Sequence, residues 1–102
     1  MDNTTEVIRE ITDEKLAKYF DVSTRAYEKV QISAPKETHL EKIAKDYLMM
    51  AKTYIDDAKH FQEKGDIVNA FAALNYAHGW LDAGARLGVF DVGHDSVLFT
   101  VD

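Results

Sequence analysis

GDIVNAFAALNYAHGWLDAGARLGVF, residues Gly65 to Phe90, is the stretch whose reading decides the fold. Asp66 follows Gly65 and precedes an unbroken helical pattern, so it reads as an N-cap whose carboxylate accepts a free backbone N–H. At about 100° per residue, Asn75, His78, Asp82 and Arg86 fall on one narrow arc, with Val68 and Phe71 above them. The opposite arc is small: Ala73, Ala77 and Gly84. One flank holds Ile67, Ala70, Leu74 and Leu81, and the other Tyr76, Trp80 and Leu87. A helix apolar on three sides is covered on three sides. The Ala/Gly arc predicts a close neighbouring backbone, at the low end of the usual helix spacing. Gly79 and Gly84 each cost up to about 1 kcal/mol against Ala in a helix interior, and close packing would explain them.

Along the polar arc His78–Asp82 and Asp82–Arg86 are both i,i+4 pairs, so Asp82 is expected to sit between two donors. Two readings stay open. Asn75, His78, Asp82 and Arg86 are either a hydrogen-bonded network on a solvated or packed face, or a ligand-anchoring constellation in which Asp82 orients His78 and Arg86 takes an anionic group.

The run YAHGWLDAGARLGVFDV, Tyr76 to Val92, and the FQEKGDIVNAFAALN before it, Phe61 to Asn75, resemble an uncharacterised archaeal family, domain of unknown function 357. The resemblance covers the chain from about Leu16 onward. It implies a compact three-helix bundle and brings with it no activity, cofactor or partner.

One hundred and two residues make one domain with a single modest core. Apolar content of 46% and charged content of 29% are globular values. Without cysteine there is no disulfide, no thiolate metal site and no cysteine nucleophile, which suits a reducing compartment. No apolar run approaches about 18 residues and no secretory leader is legible, so the expectation is a cytoplasmic protein without a membrane partner. Net charge is −6. Residues 1–64 hold eleven basic and thirteen acidic side chains, whereas residues 65–102 hold Arg86 against five acids. Nucleic-acid binding is not expected from so acidic a C-terminal third; a basic surface or a cationic ligand suits it better.

Val7, Ile8 and Ile11 have helical spacing and predict either a short first helix or an extension of the next. Thr12 before Asp13 and Glu14 is a helix start, and Leu16, Tyr19, Phe20, Ala26, Tyr27 and Val30 carry the pattern to about Gln31. Pro35 marks a linker. Thr38 with Glu41 is a capping box, and Leu40, Ile43, Tyr47, Ala51, Tyr54, Ala58 and Phe61 trace the second helix to Lys64, with Gly65 as its stop. So short a turn makes the second and third helices antiparallel neighbours. The sequence therefore reads as all-α, a single antiparallel three-helix bundle with helices over 13–31, 39–64 and 66–88 and an extended tail over 91–102. Asp91, Gly93, His94 and Asp95 form a turn. Ser96 to Asp102 is β-like without a partner strand, and lies along the bundle or pairs with a second copy.

Asp57 and His60 have the spacing of one half of a di-metal carboxylate motif, but only one such unit is present. His78 with Asp82, or His94 with Asp95, could lend a metal two ligands and zinc wants more. No metal site and no cofactor is expected. No phosphate loop, nucleophile elbow or dinucleotide fingerprint occurs. The stretch also resembles nucleotidyltransferase-associated helical domains, but the Arg–His motif of the ribonucleases among them needs a shorter gap than the seven residues between Arg86 and His94. With no catalytic signature, the expected function is a helical interaction module that docks a protein partner or self-associates. Its candidate interface is Trp80 with Val97, Leu98 and Phe99 of the tail. The alternative is a small-ligand or hydrolytic site on the polar stripe, and a concave pocket at that stripe distinguishes the two.

Overall fold

The computed structural model describes residues 7–100. Three helices are present, α1 over Asp13–Lys29, α2 over His39–Glu63 and α3 over Ile67–Leu87. Each begins at a side chain that satisfies a free N–H. Thr12 Oγ1 accepts from Lys15 N at 3.1 Å, Thr38 Oγ1 from Glu41 N at 3.2 Å and Asp66 Oδ1 from Asn69 N at 3.2 Å. Glu41 completes its box one residue early, accepting from Glu37 N at 3.1 Å. Of the N-terminal stripe, residues 1–6 lie outside the described residues. Val7 and Ile8 are irregular and exposed, while Ile11 packs on the core, so no helix runs through residues 7–12.

The α2–α3 hairpin is the closest-packed pair. Gly65, at φ 78°, closes the turn, with Asp66 N donating to Phe61 O at 2.8 Å. Ring pairs fix the register: Tyr54 meets Tyr76 at 4.5 Å and Tyr47 meets Trp80 at 5.0 Å, both edge-on. That register sets Ala51 level with Ala77. The seam is alanine: Ala44, Ala51 and Ala58 recur every seventh residue on α2, and all three are fully buried, as are Ala70 and Ala77 on α3. Leu16 of α1 clusters with Ala70 and Leu74, and Ala26 with Leu81, so α1 runs in the same direction as α3.

The chain after α3 does what the sequence does not announce. Gly88, at φ 89°, turns it back, and β2 (Phe90–Asp91) pairs antiparallel with β1 (Gln31–Ile32), Ile32 opposite Phe90. Ser33 N extends the ladder to Val89 O at 2.9 Å. β1 falls where helix was expected at Gln31, because β-branched Val30 goes extended and ends α1 at Lys29. The strand that pairs is therefore Phe90–Asp91; the expected β-like segment forms turns over residues 96–98 instead. Of the nine buried residues in the cluster around Ala44 and Leu81, five come from this tail: Val89, Phe90, Val92, Leu98 and Phe99.

Gly84 is buried, but not against a neighbouring helix as its arc predicted. A Cβ built there would overlap the Phe90 ring. Gly79 has nothing within 4 Å of a built Cβ. The two glycines should therefore part company on substitution. Gly84→Ala should lower stability by about 1–3 kcal/mol through overpacking. Gly79→Ala should raise it by up to about 1 kcal/mol through helix propensity. Denaturant melts of both against the parent check this, and equal effects would contradict the placement of Phe90.

Candidate functional site

α1 and α3 touch less extensively than α2 and α3. The Tyr19 and Phe71 rings meet at 4.6 Å, tilted by 46°, and beyond that contact the two helices leave a cleft of about 400 Å³. Lys18, Tyr19, Val22 and Ser23 line it from α1; Leu74, Asn75, His78, Gly79 and Asp82 line it from α3. Three of the four residues of the polar arc thus meet in one concavity. Arg86, one turn further on, lies outside it.

Each polar group there has a defined posture. Asn75 Nδ2 donates to Phe71 O at 2.9 Å, which leaves its Oδ1 as an acceptor toward the cleft. His78 Nε2 is 3.8 Å from Asp82 Oδ1, an electrostatic contact beyond hydrogen-bond length. The other face of His78 is covered by the Phe99 ring, 6.3 Å away and inclined by 29°. Ser23 is 2% exposed and still reaches the cleft wall.

Asp82 is not held between His78 and Arg86. Both charged groups turn to the tail: Thr100 N donates to Asp82 Oδ1 at 2.9 Å, and Arg86 Nη1 donates to Thr100 O at 3.0 Å. One residue's donor and acceptor are gripped by an acid and a base one helical turn apart. A carboxylate and a guanidinium match the two poles of a peptide group, which makes the pair a clamp on main chain rather than an ion pair.

The candidate interface divides in the same way. Val97 is 87% exposed, whereas Leu98 and Phe99 are buried in this chain's own core, so those two cannot cover a second copy while the tail is seated. Their position follows from Asp95, which the sequence reading placed only in a turn. Its Oδ1 accepts from Val97 N and Leu98 N, each at 3.0 Å, and its Oδ2 takes Lys29 Nζ at 2.8 Å. The signal was present as an acid two and three residues before those N–H groups, the pattern of a cap. Trp80 is half-buried, edge-on to Tyr47 and Tyr76, with its Nε1 buried and without a hydrogen-bond partner.

Ser23, His78 and Asp82 are the residue types of an acyl-transfer relay, but they are not connected as one. No hydrogen bond joins Ser23 to His78, and Asp82 is occupied by Thr100. Among the described residues, no three His, Asp or Glu side chains gather as metal ligands. Asp57 and His60 are both exposed on α2. No helix among the described residues is long and apolar enough to cross a membrane.

The latch has two consequences. Asp82→Ala should cost about 1 kcal/mol, since the Thr100 amide loses its acceptor, and an unchanged denaturation midpoint would count against the clamp. Lys29 first, then the N–H groups of Leu98 and Val97, hold the Asp95 carboxyl below the usual carboxylate range. A lowered folded-state value contributes stability above the unfolded value and loses it as pH falls through the folded one. The tail should accordingly loosen in acid below about pH 4, read from the Val97 and Leu98 amide shifts. Asp95→Asn should abolish that step, and a parent-like acid titration in the variant would contradict it.

Similarity to known proteins stops at the family level. No curated protein and no solved structure matches the chain. Residues 18–90 do match a family model, spanning α2, α3, most of α1 and the first residue of β2. This chain belongs to DUF357, a protein family of unknown function.

Proposed function

We propose that this chain is a small helical interaction module that docks a further helix on the outer face of α3, and that the helix is α3 of a second copy. α3 is the most apolar of the three helices, and α1, α2 and the tail cover three of its sides. On the fourth side Ala72, Tyr76, Gly79, Ala83 and Leu87 are exposed at three-to-four-residue spacing. None is charged, so a partner would bury no unpaired ion there.

The observation that carries the reading is Gly79. It sits in mid-helix with open space about it, between Tyr76 and Leu87, which are 50% and 54% exposed. Within one copy nothing requires a glycine at this position. A second helix crossing there does, because backbones approach closely only where side chains are absent. Tyr76 and Trp80 flank the crossing as aromatic anchors of the kind that concentrate binding energy. An α3–α3 pair is self-complementary about a two-fold axis at Gly79. The acidic C-terminal third argues against nucleic acid as the partner, and the cysteine-free composition suits a cytoplasmic setting.

Light scattering across a concentration series tests this. The parent should pass from monomer to dimer as concentration rises. Gly79→Arg and Tyr76→Glu should remain monomeric with unchanged helicity. A parent that stays monomeric into the millimolar range, with α3 amide shifts independent of concentration, would overturn it.

A further inference from the structure

We propose that the cleft between α1 and α3 is a binding site for a small zwitterion whose opposite charges lie several ångströms apart, an ω-amino acid or a short peptide with free ends. This site shares Gly79 with the outer face of α3, but its other lining residues lie on α1 or on the side of α3 that faces α1, and the test runs through them.

The cleft is dipolar. Lys18, an exposed residue beside Tyr19, lines it from α1, and Asp82 lines it from α3. Because α1 and α3 run in the same direction, Lys18 lies toward Asn75, and Asn75 to Asp82 is two helical turns, about 10 Å. Backbone positions that far apart suit a ligand longer than an α-amino acid. A simple amine or carboxylate answers one end only. A dianion would meet one lysine within a chain of net charge −6.

The interior fits the body of such a ligand. Val22 and the Tyr19 ring give an apolar track for methylenes, backed by the buried Leu74. Ser23 lines the cleft between those ends, and Asn75, whose Nδ2 is spent on Phe71 O, keeps an acceptor oxygen at the Lys18 end. Asp82 spends one oxygen on Thr100 N and keeps a second for an ammonium, while Phe99 backs His78 so that the imidazole stands as a fixed wall. At about 400 Å³ the cleft lies within the range of small-ligand sites. Gly79 lines its edge.

The test is amide chemical-shift titration of the full chain with 6-aminohexanoate, hexylamine and hexanoate. The zwitterion should shift the Ser23, Asn75, His78 and Gly79 amides saturably and bind about fivefold tighter than either single-charge probe. Lys18→Gln should reduce 6-aminohexanoate to the affinity of hexylamine and leave hexylamine itself unchanged. Asp82→Asn keeps an acceptor for Thr100 and should weaken both amines without touching hexanoate. Equal binding of hexylamine and 6-aminohexanoate, indifference to Lys18→Gln, or the absence of saturable shifts would overturn the proposal. Lys18 lies on α1 and not among the residues of the outer face of α3, so its effect reports on the cleft.

Discussion

The Phe90 ring occupies the space that Gly84 leaves by having no side chain, and the rest of the C-terminal half depends on that contact. For the ring to arrive there the chain must reverse immediately after α3, which Gly88 permits at φ 89°. The reversal sets Phe90 opposite Ile32, and the short ladder ties the α1–α2 linker to the end of α3. From there Val92, Leu98 and Phe99 fill the end of the bundle where the fully buried residues of α2 are Ala44 and Ala51, with Tyr47 and Leu48 partly buried beside them. An alanine seam lets helices approach closely but supplies little apolar area, and the large side chains have to come from elsewhere. Here the tail brings them.

The same arrangement explains the unequal grooves. α2 and α3 close on each other through alanines and edge-on rings. α1 meets α3 at Leu16, Tyr19 and Phe71 near one end, and at the other Ala26 and Leu81 share a cluster with the tail. Between those two contacts the helices stand apart, and the cleft is what remains. Asp82 sits where the tail ends and the cleft begins, so one carboxylate serves both the fold and the concavity.

What the sequence made legible was whatever local rules encode. The caps at Thr12, Thr38 and Asp66, the stop at Gly65 and the arc that gathers Asn75, His78 and Asp82 all follow from spacing along one element. The similarity of Tyr76–Val92 to DUF357 pointed to the same three-helix bundle. What stayed hidden was every contact between distant segments. Ser23 and Lys18 join the polar arc from more than fifty residues away, and Lys29 meets Asp95 across sixty-six. Arg86 looked like a partner for Asp82 because i,i+4 pairing is local; Thr100 outcompetes it by offering both acid and base a peptide pole. Gly84 looked like a helix-facing glycine because periodicity gives the arc and not the identity of what covers it.

The central claim is that the C-terminal tail is a structural member of the bundle. Native-state hydrogen exchange on the full chain tests it most directly. The account expects the amides of Leu98, Phe99 and Thr100, which donate to Asp95 and Asp82 side chains or the Asp95 carbonyl, to be protected and to open together with the last turns of α3. Tail amides that exchange at unfolded-chain rates while α3 stays protected would contradict it.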